Sequence, residues 1–110
     1  MGQYHAVYNE HRREMFCMGG AKLLEQCDGL TALAFLYLLS NSNGRGGGDI
    51  ARPESLEAVK LEGSWLNCRV VVQGDYAEKE DRCFLADTKG YKDITSLLME
   101  VIQANGGSDA

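Results

Sequence analysis

The chain has 110 residues, 45% of them hydrophobic and 25% charged, and a formal net charge of -5. This length holds one domain with one modest core and excludes a second. The acidic balance, with no basic run longer than Arg12-Arg13, argues against duplex nucleic acid as a partner.

From Gln3 to Asn9 aromatic and β-branched residues alternate loosely, the charged turn "EHRRE" follows, and Met15 to Met18 completes a predicted N-terminal β-hairpin. The carboxylates of Glu10, Glu14 and Glu25 read as solvated. "GGAKLLEQC" predicts a short first helix with Leu23, Leu24 and Cys27 on one face, broken by Asp28-Gly29. Leu30 to Leu39, apolar except for Thr31, predicts a central buried helix enclosed on all sides. It has about half of the roughly 20 residues that span a bilayer, so no membrane partner is expected.

After a glycine-rich loop and Pro53, "AVKLEG" and "LNCRVVVQGDYA" predict two strands joined by Gly63-Ser64-Trp65, with Leu66, Cys68, Val70 and Val72 sharing one face. "EKEDR" is a charged turn and "CFLA" a short edge strand. The clearest pattern is last: Ile94, Leu97, Leu98, Val101 and Ile102 recur at helical spacing, with Asp93 or Thr95 as N-terminal cap. Asn105-Gly106-Gly107 stops this helix, and residues 105–110 are expected to fray. Together these elements predict a single α+β domain over residues 1–104. Its antiparallel sheet has four to five strands, and about three helices pack on one face.

Four cysteines, Cys17, Cys27, Cys68 and Cys83, stand ten or more residues apart with no C-x-x-C pair. That spacing suits neither a zinc knuckle nor a disulfide framework, so buried free thiols in a reducing, cytoplasmic compartment are expected. No secretory signal opens the sequence.

The loop "SNSNGRGGGDI" concentrates the chemistry. It lacks the strand before and helix after that a phosphate-binding P-loop requires, and it lacks the Gly-Lys-Ser/Thr ending. Asn43-Gly44 reads as a helix stop. Gly46, Gly47 and Gly48 remain unexplained by a stop, and Arg45 carries a planar five-donor fork suited to carboxylate or phosphate. Two readings follow: an anion site built from Asn43, Arg45 and the backbone of Gly46 to Gly48, or a turn closed by an Arg45 pair with Asp49 or Asp75. Asp75, followed by Tyr76, ends the strongest strand, and Asp49 with Asp75 is a weaker candidate for sharing a hard cation. Trp65 is either a core residue or a platform that stacks a base. His5 and His11 have no nucleophile attached by a local motif.

The segments "MGQYHAVYN", "KLLEQ", "SNSNGRGGGDI", "GSW" followed by "VVVQGDYA", and "GYKDIT" resemble, in this order from residue 1 to about 95, a family of small bacteriophage and prophage proteins. "MFCMGGAKL" and "LNCRVVV" depart from that pattern. The family has no established activity, so the resemblance implies a phage-type origin and a host-cell cytoplasm, and it assigns no catalytic residue.

No complete catalytic constellation and no cofactor motif appears. The leading expectation is a non-enzymatic accessory protein, an anti-defence binder that holds an anionic, nucleotide-like ligand through the Gly/Arg loop. Trp65 or Tyr4 would stack on the base. An alternative is an interaction module that inhibits a host defence protein directly, through an apolar patch of Tyr4, Tyr8 and Met15. A metal-dependent hydrolase using Asp49 and Asp75 is the third. A homodimer is a further expectation, from an unpaired strand edge.

Overall fold

Strand β1 (His5–Asn9) alternates Val7 and Asn9 on one face with Tyr8 on the other, and this alternation organises the whole molecule. The structure, a computed structural model, describes residues 3–18, 22–41, 47–82 and 84–106. Asn9 ends the strand and builds the hairpin turn: its carbonyl accepts from Arg13 N at 2.9 Å and its side-chain oxygen from Arg12 N at 2.9 Å. Arg13 itself takes a left-handed conformation, φ 58°. Strand β2 (Glu14–Phe16) returns antiparallel, with Val7 opposite Phe16.

Strand β3 (Val70–Gly74) pairs antiparallel on the other side of β1, Val7 opposite Val72, and the two-residue β4 (Lys92–Asp93) joins β2. The order is β3-β1-β2-β4. The fold is therefore α+β as expected, with four strands and three helices among the described residues, but the sheet is mixed: β4 runs parallel to β2. Backbone supply accounts for this pairing. Arg13 and Met15 present carbonyls along the open edge of β2, and Lys92 N and Ile94 N reach them at 2.8 and 2.9 Å.

Helix α1 (Gly29–Leu39) starts where Asp28 accepts from Thr31 N at 2.9 Å. It stops at Ser40, which is already extended, rather than at Gly44. Its last carbonyls are taken from outside: Gly63 N donates to Tyr37 O and Trp65 N to Leu38 O, each at 3.0 Å. Ala34, Tyr37 and Leu38 are buried, yet Leu36 is 60% exposed, so the all-round apolar helix is covered on one side and not enclosed.

Three predicted elements are different in kind. "AVKLEG" is not a strand: after the buried Pro53, Ser55 accepts from Ala58 N and opens helix α2 (Leu56–Val59), burying Ala58 and Leu61 three residues apart. The first helix is only a 3-10 turn (Leu23–Gln26). It leaves Leu24 86% exposed and Leu23 and Cys27 on the surface; what it buries is Gln26, whose amide donates to His5 O at 2.7 Å. Residues 84–86 form no strand either.

Helix α3 (Thr95–Ala104) follows its pattern: Leu98, Val101 and Ile102 are fully buried against Ile94, Tyr37 and Trp65 in the main core. Asp93 caps Thr95 N at 2.9 Å, and the Thr95 hydroxyl accepts from Cys17 N. At the far end Asn105 exchanges hydrogen bonds with Ala51, fixing the segment that leaves the glycine loop. All helices lie on the Val7 face. The opposite face carries a smaller cluster, Val71, Leu85 and Tyr91 with Tyr8 and Met15. Among the described residues no helix is long and apolar enough to cross a membrane.

Candidate functional site

The sheet face turned away from the helices is covered only in part, and the uncovered end is a cleft of about 510 Å³. Its formation starts at one corner. Beyond the β1–β3 ladder, Tyr4 N donates to Asp75 Oδ1 at 3.0 Å and Asp75 N to Tyr4 O at 2.9 Å. The chain then turns through Asp75-Tyr76, closed by Ala77 N on Gly74 O. Gly74 suits this corner because the Gln3 side chain lies over it where a Cβ would stand.

The returning segment is pinned across the sheet by one side chain. Gln73 donates its amide to Leu85 O at 3.0 Å and accepts from Leu85 N at 2.6 Å, so a side chain replaces the ladder that an edge strand would have made. Farther along, Tyr91 meets Tyr8 edge-on at 5.4 Å and lies under the Arg13 guanidinium, 4.6 Å from the ring centre. These contacts close one end of the face. The other end stays open over Ala6, whose lone methyl leaves depth between the Tyr4, Tyr8 and Phe84 side chains.

Tyr4 and Asp75 are exposed, with Thr88 half-buried beside the same opening. Asp75 is the lone carboxylate among the described residues lining the cleft, and they include no lysine or arginine. The second oxygen of Asp75 accepts from no described residue. Cys17 also lines the cleft. Its thiol donates to the His5 carbonyl at 3.4 Å, not to the imidazole, and burial followed by the Asp93 charge pushes its pKa above the ordinary value. A thiol in that state is protonated at neutral pH and a poor nucleophile.

The residues singled out in the sequence separate into three groups. Asp75 and Tyr76 stand at the cleft corner beside Tyr4, as an exposed strand end. Asn43, Arg45 and Gly46 lie outside the described residues, as does Cys83. Gly47, Gly48 and Asp49 are exposed, a Cβ on either glycine would touch nothing, and Asp49 accepts from its neighbour Ile50 N at 2.8 Å. That segment is tied to the end of α3 through Ala51 and Asn105, whereas Asp75 is tied to Tyr4. Among the described residues no three His, Cys, Asp or Glu side chains gather as a metal set.

For Trp65 the core reading holds and the stacking platform is corrected. It is 1% exposed, packs 5.6 Å from Phe16 and donates its indole N–H to Glu14 Oε1 at 2.8 Å, so it is a core residue with no face for a base. Glu14 is corrected with it: the carboxylate read as solvated is buried, shared between Trp65 and Arg12 Nε at 3.0 Å. The apolar patch expected from Tyr4, Tyr8 and Met15 is also smaller than foreseen, because Leu85 and Tyr91 cover Tyr8 and Met15. Sequence reading missed Cys17, Gln73 and Phe84 as cleft residues. The one available signal was Gln73, a polar side chain interrupting an apolar strand. No family model, curated protein or solved structure matches the chain, so a functional reading rests on the cleft and the loop themselves.

Proposed function

We propose that the chain is a small non-enzymatic binding protein whose ligand site is the cleft between the Tyr4–Asp75 corner and residues 84–88. The carrying observation is a preformed opening of about 510 Å³ whose walls mix aromatic rings with a few convergent polar groups, the usual composition of a ligand site. The protonated thiol of Cys17 supports binding over covalent catalysis. In the phage-type setting that the sequence resemblance implies, a ligand from the host cell is in keeping with an anti-defence module.

Substituting the floor residue tests this reading. Ala6→Phe fills the cleft from a strand position without touching the helical core, so fragment binding followed by two-dimensional NMR is expected to disappear while unfolding stays cooperative. In the unmodified protein, shifts caused by a library of small neutral fragments should cluster on Ala6, Gly74, Ala77 and Thr88. Shifts that cluster elsewhere, or survive Ala6→Phe, would refute the site.

A second reading keeps the glycine loop as an anion site. What favours it is that Gly47 and Gly48 are exposed and uncrowded, so packing does not require glycine at either position. Native mass spectrometry on gently purified protein would then show a retained phosphorylated compound, lost in Arg45→Ala. A retained compound unaffected by Arg45→Ala would remove the arginine from the proposal.

A further inference from the structure

The cleft has a chemical bias that narrows what enters it, and the inference here rests on the cleft being the ligand site. We infer that it takes an organic cation, an ammonium or guanidinium carried on an apolar stem, with Asp75 as counter-ion and the Tyr4, Tyr8 and Phe84 rings along the stem.

Charge sets the sign. The described lining holds one carboxylate and no lysine or arginine, on a chain of net charge -5. An anion entering there meets Asp75 with no lysine or arginine in the described lining to offset it and His5 as its one imidazole, whereas a cation gains a partner at the lip. The carboxylate is also oriented before any ligand arrives. Its Oδ1 is held by Tyr4 N at 3.0 Å, and its second oxygen is left to accept.

Competition inside the cleft is low. The amide of Gln73, a polar group on the floor, is committed at both ends to Leu85. The Cys17 thiol is committed to a carbonyl and is not an anion that would draw the cation inward. The rings supply the rest: Tyr4 is exposed at the lip beside Asp75, and aromatic faces attract ammonium and guanidinium groups more strongly as water is excluded. The molecule already makes one such contact, Arg13 over Tyr91, at the closed end of the same face. This class of ligand has two sources, a lysine or arginine side chain on a protein segment and a free polyamine.

The test is a two-dimensional NMR titration of the full chain with four probes: spermidine, short peptides bearing one central lysine or arginine, the same peptides with citrulline or norleucine at that position, and ADP. The cationic probes should shift the amides of Gly74, Asp75, Ala77 and Thr88 and weaken as salt is raised, and the neutral peptides should bind at least about tenfold less well. Asp75→Asn keeps an oxygen for Tyr4 N but removes the charge, so cationic affinity should fall at least about tenfold with unfolding unchanged. A lysine or arginine peptide that binds tighter than spermidine assigns the site to a protein segment, and the reverse order assigns it to a polyamine.

Cationic and neutral peptides binding alike, or ADP shifting the cleft amides, would overturn the cation while leaving the cleft as a site. If neutral fragments also leave these amides unmoved, the cleft itself falls with it. Full cationic affinity in Asp75→Asn would overturn the role of the carboxylate.

Discussion

Gly63→Ala is expected to destabilise the protein by about 3 kcal/mol or more, a larger effect than any single glycine of the Gly47-Gly48 turn. Gly63 has φ +65°, a left-handed backbone that costs an L-residue about 1–2 kcal/mol. A Cβ there would stand 2.9 Å from the Ser40 carbonyl oxygen, which is backbone and cannot swing aside. Moving the turn away to relieve that contact pulls on Gly63 N and Trp65 N, which hold the last carbonyls of α1, at about 1 kcal/mol for each bond lost. In thermal unfolding this corresponds to a drop of roughly 10–20 °C for a domain of this size. Gly47→Ala, by contrast, should change stability by less than about 0.5 kcal/mol, since a Cβ there meets open space at an ordinary φ. If Gly63→Ala lost less than about 1 kcal/mol, the "GSW" turn would have to relax freely, and α1 would need another C-terminal anchor.

This contrast shows what the sequence made visible. Glycines crowded around an arginine draw the eye, but the glycine of the "GSW" turn is the one whose Cβ would meet backbone, because the atom it must avoid belongs to Ser40, in the segment that leaves α1. Elements with their own periodicity were readable: α3, with Leu98, Val101 and Ile102 buried as its spacing predicted and Asp93 capping its start. Elements whose reason is tertiary were not. Strand β4 is two exposed residues paired only because β2 offers carbonyls along its edge, and no side-chain pattern encodes that. "AVKLEG" is short enough to fit both periods, and the buried Ala58 and Leu61 decide for the helical one only once a core exists to bury them.

The candidate site follows the same rule. Asp75 was legible because a strand that ends in Gly-Asp turns toward solvent, whereas Tyr76 is not among the described residues that line the cleft. Cys17 is far in the chain from Gln73 and Phe84, and the three line one cleft only after the sheet order places them together. Within "CFLA", read as an edge strand, Leu85 does lie against β3, held by the Gln73 amide side chain instead of a ladder.

The second large effect concerns Trp65 and Glu14, which are 51 residues apart in the chain. Trp65→Ala should cost about 3–5 kcal/mol through the cavity it opens between Phe16 and the helices. Trp65→Phe is the more informative change. It keeps most of the ring volume but strips the buried Glu14 carboxylate of its indole donor, leaving Arg12, and an acceptor left short in the interior costs about 1–3 kcal/mol. Glu14→Leu alone should also destabilise, since the buried indole N–H then has no acceptor. Combined, Trp65→Phe with Glu14→Leu removes donor and acceptor together, and an apolar pair of similar shape in a core is often no worse than the polar one it replaces. The double variant should therefore lose less than the sum of the single losses, by at least about 1 kcal/mol, in urea unfolding. Additive losses would mean that the indole and the carboxylate contribute independently, and that Glu14 owes its burial to Arg12 and the hairpin turn instead of to tryptophan.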